Sequence, residues 1–199
     1  RRSGPQKILI APSWGDDSII PNLGMKVVKV LLASGYRVTL RPHPQTVRSY
    51  SEEITKIKIA FENEDRFELE VDVSGKKSLR EADLMISDWS GAAIDYAFGM
   101  LKPVLFIDVP PKINNPSYNE ISIESFESKI RTEIGEIIAP DEVHLLHGKI
   151  QEIFSRPDPA DHLMNLRETL VYNLGSSSSV GCHALLKILG TVQNNPRPN

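Results

Sequence analysis

The chain predicts an α/β fold, a Rossmann-like parallel sheet covered by helices on both faces, and three observations carry that expectation. Short apolar runs at residues 7–11, 84–87 and 103–107 show no polar alternation, as strands buried on two faces do. Segments with helical apolar spacing separate the runs and are long enough for right-handed crossovers. Small polar residues, glycines and prolines cluster directly after the strands, at the carboxyl ends where such sheets bind ligands.

Taken in order, residues 7–11 (KILIA) form the first strand. Residues 22–33 have helical spacing and stop at Ser34-Gly35. Residues 36–40 (YRVTL) are a second strand, closed by the corner Arg41-Pro42-His43-Pro44. Two prolines fix φ around His43 and remove backbone donors, so this corner is expected to be rigid and non-helical. A polar helix is expected over 49–61, and 67–73 (FELEVDV) alternates like a strand. After a short segment at 78–82, the strand 84–87 runs into the helix that begins after Ser90-Gly91. Residues 103–107 form another buried strand, opened by Pro103 with Lys102 solvated. Beyond it come a loop, a short strand near 136–138, and helices over 141–154, 161–172 and 179–189. The expected organisation is a linker or expression remnant at 1–6, one domain over 7–190 and a frayed tail at 191–199. Residues 108–119 and 194–199 are the stretches most like linkers.

Composition narrows the function. With 23 basic and 26 acidic residues the net charge is −3, which argues against a general nucleic-acid binder. One cysteine, Cys182, excludes an internal disulfide and a cysteine-rich metal site and suits a reducing compartment. No run approaches the roughly 18 apolar residues of a membrane span. His144 and His147 stand three apart but lack the glutamate of a zinc motif, so no metal site is assigned. Cys182 and His183 read as packing residues, and Ser176–Ser179 as the cap and linker of the last helix in preference to a second phosphate-facing turn. The loop at 114–119 reads as surface, on the edge where loops close over ligands.

The segment ISDWSGAAIDYA at 86–97 is the most informative. An apolar strand ends in Ser87 and Asp88, and a helix starts after Trp89-Ser90-Gly91. Capping by Asp88 or Ser90 is one reading. An anion site is the other: a helix start offers free N–H groups and the positive end of its dipole, and Gly91 permits close approach. The segment is weaker evidence than a P-loop. Its coincidence with the Arg41-His43 corner and the turn Pro12-Ser13-Trp14-Gly15 strengthens it.

These three segments together resemble the carboxy-terminal half of the CDP-glycerol glycerophosphotransferases, the teichoic-acid glycerol-phosphate polymerase and primase family. KILIAPSWG carries the family's AP-S/T-W turn, VTLRPHP its R-x-HP corner, and READLMISDWSGAAIDYAFGMLKPVLFID its ADxLISDxSS-like segment with a following Asp and KP strand. The resemblance covers residues 7–108 and implies a GT-B architecture, of which this chain would be the carboxy-terminal, donor-binding half. It implies that His43 is the catalytic, phosphate-contacting histidine and that Ser90 holds the donor diphosphate. By the same resemblance Ser87 and Asp88 shape that turn, Asp95 matches the acidic residue further along the helix, and Ser13 lines the cleft. Arg41 and Gly91 complete the expected substrate-binding set. Gly91 replaces a second serine and Trp89 a tyrosine, which leaves the identity of the donor open.

The implied reaction transfers glycerol phosphate from CDP-glycerol to a cell-surface polymer or lipid-linked acceptor, releasing CMP, with no further cofactor. A general-base histidine would come from an amino-terminal domain of the same protein, and the location would be cytoplasmic, peripheral to the inner face of the plasma membrane. A UDP-sugar-dependent glycosyltransferase or epimerase, and a non-catalytic interaction domain of the same fold, are the alternatives.

Overall fold

Six four- and three-residue strands joined by crossovers assemble into one wholly parallel sheet in this computed structural model, which describes residues 4–193 apart from 112, 114, 116 and 121. The elements are β1 (Lys7–Ile10), α1 (Ile19–Ala33), β2 (Arg37–Leu40), α2 (Pro44–Ser49), α3 (Ser51–Ala60), β3 (Phe67–Leu69), α4 (Lys77–Glu81) and β4 (Leu84–Ser87). They continue with α5 (Gly91–Met100), β5 (Val104–Ile107), α6 (Phe126–Ile134), β6 (Gly135–Ile138), α7 (Leu146–Ser155), α8 (Ala160–Leu170) and α9 (Ser177–Gln193). Strand order is β3-β2-β1-β4-β5-β6. The chain therefore builds outward from β1 in one direction and from β4 in the other, and the order reverses between them. That reversal opens a crevice at the carboxyl ends of β1 and β4, the position where doubly wound sheets bind ligands.

Side-chain alternation explains why the central strands read as unbroken apolar runs. Ile8 and Ile10, Leu84 and Ile86, Leu105 and Ile107 share one core cluster with residues of α1, α3 and α7. The intervening Leu9, Met85 and Phe106 are equally buried, on the face where α5 packs on β4 and β5 and α6 on β6. Both faces are covered, as the sequence predicts. Gly135 opens β6 because a Cβ there would collide with the Val104 carbonyl.

Several expectations need correction. The corner at His43 is not non-helical: α2 starts at once, with Pro44 in its first turn, where a missing N–H goes unneeded. For the same reason α1 begins at Ile19 and tolerates Pro21. β3 ends at Leu69 instead of residue 73, having only β2 to pair with. The segment read as loop contains α6, whose Ile130, Arg131 and Ile134 are buried at helical spacing. The helix expected over 141–154 is a 3-10 turn, Pro140–Leu145, followed by α7. Lys102 is not left to solvent; its Nζ donates to the Arg80 and Ala82 carbonyls at 2.7 and 2.6 Å. Cys182 is exposed, so it does not pack.

The chain divides into two compact units, Arg1–Leu163 and Met164–Asn199. The whole sheet lies in the first. The second holds α9, along which Leu185, Leu186, Ile188 and Leu189 are exposed. Residues 1–3 of the expected remnant, 112, 114 and 116 of the linker-like stretch, and 194–199 of the tail lie outside the described residues. No helix among the described residues is long and apolar enough to cross a membrane.

Candidate functional site

Local chemistry at the end of β4 fixes the crevice. Ser87 and Asp88 are fully buried. The Ser87 hydroxyl donates to the Ala11 carbonyl at 2.8 Å and so ties β4 to the exit of β1. Asp88 accepts the Ser13 N–H at 2.6 Å on one carboxylate oxygen and the Ile19 N–H at 3.1 Å on the other. One side chain thus holds the Pro12-Ser13-Trp14 turn and gives α1, whose first N–H groups lack intrahelical acceptors, an acceptor at its first residue. Burial pushes the Asp88 carboxyl above the ordinary aspartate value, and the N–H groups of Ser13, Ile19 and Trp89 pull it back only in part. Neither Ser87 nor Asp88 has a side-chain oxygen left to face a ligand, so both shape the turn from behind.

Ser90 and Gly91 occupy the front. Ser90 is the N-cap of α5, and its Oγ accepts the Ala92 N–H at 3.3 Å, a long and hence replaceable bond. Gly91 is the exposed first residue of the helix, and a Cβ placed on it would meet no protein atom within 4 Å. The protein itself has no steric need for glycine there.

His43 reaches the same crevice from β2. As N-cap of α2 it accepts the Gln45 N–H on Nδ1 at 3.0 Å. That bond fixes the tautomer: a neutral ring carries its proton on Nε2, as a donor. Trp14, 40% exposed, stacks on the imidazole at 6.1 Å between centroids and 25° between planes. The β1-exit loop that carries Trp14 is held in turn by the Tyr50 hydroxyl donating to Asp16.

Ser13, Trp14, His43, Trp89, Ser90 and Gly91 line one cleft of about 540 Å³. Its opposite wall comes from the β5-exit loop, with Pro111, Ile113 and Tyr118, and from the start of α6, with Ser125 and Ser128. Ser125 caps α6 by accepting the Ser128 N–H at 3.3 Å. Two helix N-termini therefore open on one cavity. The second lies within 108–135, which the sequence reads as loop; the signal there is Ser125 placed three residues before Ser128, followed by Ile130 and Ile134 at i, i+4.

Two expected residues do not join this set. Arg41 turns away from the cleft: its guanidinium donates to Val73 O at 2.7 Å, Gly75 O and Ser78 Oγ at 3.0 Å each, and pairs with Glu70 at 3.4 Å. Two of these acceptors are backbone carbonyls of the β3–α4 connection. Asp95 is exposed more than a turn along α5 and does not line the cleft. His144 and His147 lie on separate elements and contact the Asp141 carbonyl and the Tyr36 hydroxyl. No group of three or more potential metal ligands occurs among the described residues. A second groove of about 400 Å³ crosses β1, β2 and β3, but its lining mixes charges that pair with each other, such as Lys7 with Glu81.

The crevice, with serine hydroxyls, helix N-termini and an imidazole donor but no lysine or arginine among its described lining residues, suits a phosphate-bearing ligand whose charge meets oriented dipoles. Comparison with known proteins agrees on the fold. A UDP-GlcNAc 2-epimerase from Neisseria meningitidis bound to UDP-GlcNAc superposes with a TM-score of 0.56 at 15% identity, over 92% of this chain and 45% of that one. A glycosyltransferase from Rickettsia africae gives 0.54 at 17% identity, over 98% and 50%. The glycotransferase of kitacinnamycin gives 0.53 at 19% identity, over 85% and 40%. The chain thus spans between 40% and 50% of the length of these structures, and what it shares with them is the Rossmann-like, GT-B type of fold. No curated protein matches the chain. The model of one family, CDP-Glycerol:Poly(glycerophosphate) glycerophosphotransferase, matches residues 1–109, the stretch that contains β1, the His43 corner and the β4–α5 turn. The match extends over more than half of the 199 residues, and the chain belongs to that glycerophosphotransferase family.

Proposed function

We propose that this transferase domain binds CDP-glycerol in the β1/β4 crevice and serves the transfer of glycerol phosphate to a polymer or lipid-linked acceptor. The observation that carries the reading is the exposed Ser90-Gly91 start of α5, set beside His43 at the switch point of the sheet. In the reaction an acceptor hydroxyl oxygen attacks the β-phosphorus, and the bond from that phosphorus to the bridging oxygen breaks. CMP leaves with the bridging oxygen, and the acceptor proton passes to a base. Such transfers are governed by positioning and charge stabilisation. The α5 N–H groups hold nonbridging oxygens, and His43, donating from Nε2, stabilises the charge that develops on the phosphates or on departing CMP.

Titration of the chain with CDP, UDP and CDP-glycerol, followed by amide chemical shifts, tests the reading. CDP and CDP-glycerol should bind with perturbations centred on Ser90 and Gly91, and UDP more weakly. Gly91→Val, at a position where an added Cβ meets no protein atom, should lower CDP affinity about tenfold or more while the melting temperature stays put. A preference for UDP would move the reading to a UDP-sugar enzyme. Unchanged CDP affinity in folded Gly91→Val would place the phosphates elsewhere.

A further inference from the structure

Among the described residues the lining of the cleft holds no lysine or arginine, and the carboxylate it does hold, Glu127, has the wrong sign for an anion. A cation does stand directly behind the wall. Arg131 of α6 is a buried residue, with its side chain only 6% exposed. Its guanidinium lies 3.9 Å from the centroid of the Trp89 ring and 5.0 Å from that of Phe106. Nη1 donates to Asp108 Oδ1 at 3.0 Å, whereas Nε and Nη2 are buried without a hydrogen-bond partner among the described residues. Trp89 is itself fixed, its Nε1 donating to the Val109 carbonyl at 2.7 Å.

A guanidinium held this way is destabilising unless its charge is used. Removal from water is expensive, one ion pair compensates it incompletely, and idle buried donors add to the cost. The two charges of the pair also act through different media. Asp108 is 52% exposed, so water screens its field; Arg131 sits among rings, where screening is weak. The pair therefore leaves a net positive potential on the Trp89 side, which is the cleft side.

We propose that Arg131 is a positioning residue that charges the cleft from behind Trp89, selecting ligands by the negative charge they carry. It touches no ligand. Trp89 presents its face to the guanidinium and lines the cleft, so the ring both seats the cation and separates it from solvent. Asp108 tunes the charge, and the start of α6 gives the same helix a second stake in the cleft through Ser125 and Ser128. This rests on the phosphate-binding reading of the cleft but not on cytidine as the base.

The experiment measures affinity of the whole chain for cytidine, CMP, CDP and inorganic pyrophosphate at fixed low ionic strength. Arg131→Met should weaken CDP and pyrophosphate roughly tenfold, CMP less, and cytidine not at all. Arg131→Lys, which keeps the charge, should retain most of the CDP affinity. Asp108→Asn keeps an acceptor for Nη1 and removes the opposing charge, so it should tighten CDP and pyrophosphate severalfold. A merely structural role predicts the reverse for Asp108 and equal losses for cytidine and CDP in Arg131→Met; either result overturns the proposal. If Arg131→Met does not fold, the Lys and Asp108 variants decide alone. Pyrophosphate binding that responds to these variants while CDP and UDP bind alike would keep this inference and remove the CDP-glycerol reading. Wild-type protein that binds neither CDP nor pyrophosphate would remove both.

Discussion

His43 shows how one residue serves the fold and the chemistry through different atoms. Nδ1 accepts the Gln45 N–H and so caps α2, which leaves the ring a donor at Nε2. Replacing it with alanine removes an N-cap acceptor, a loss of about 1 kcal/mol. Removing a proton donor from the reaction lowers the rate by roughly 10²–10⁴. The two effects separate in one experiment: in an active full-length protein, His43→Ala should lose at least about a hundredfold in turnover while its unfolding free energy falls by little. Near-normal turnover would take His43 out of the mechanism. The histidine was legible because prolines bracket it at a strand end. The fate of Arg41 was not, since its orientation follows from carbonyls at Val73 and Gly75, more than thirty positions away in the chain.

Among elements, the β4–α5 connection was the most readable and the β5–α6 connection the least. β4 falls where expected, at Leu84–Ser87, because an apolar run ends abruptly in polar residues and a glycine. α6 escaped because it follows a long polar stretch and buries an arginine, a residue that sequence patterns assign to the surface. Asp88 is the strut that makes the readable part work, joining β4 to the β1 turn and to α1. Asparagine has one acceptor oxygen where the carboxylate offers two, so Asp88→Asn leaves one buried N–H unmatched. It should destabilise the domain by about 1–3 kcal/mol. The pH dependence has a definite sign. The carboxyl is raised in the native state, so the native protein binds this proton more tightly than the unfolded chain does. Its contribution is complete below the ordinary aspartate value and is lost as pH rises through the higher native one. Denaturant unfolding across that window should therefore show the advantage of wild type over Asp88→Asn shrinking as pH rises. A growing advantage would mean that the hydrogen bonds to the ionised form outweigh burial.

At the scale of the molecule the sheet order, reversing between β1 and β4, brings the turns after β1, β2 and β4 to one side of a crevice that the β5-exit loop and the start of α6 complete, and a sequence read one segment at a time shows each as only a turn. The structures of matching fold are about twice as long as this chain, which covers 40% to 50% of them. Among the described lining residues His43 is the sole imidazole. If it attends to the phosphates, the acceptor hydroxyl has no second imidazole in this cleft to take its proton. The chain by itself should accordingly bind a cytidine nucleotide without turning the donor over. In a cleft that stays open to solvent, affinity should be weak, on the order of millimolar, equivalent to about 4 kcal/mol. Incubation with CDP-glycerol and a glycerol-phosphate primer, with CMP followed over time, checks this directly. Cytidine-selective shifts near Ser90 without CMP release are the expected outcome. Steady, acceptor-dependent release at an ordinary enzyme's rate would show that the residues described here suffice for the chemistry and that a second base lies among them.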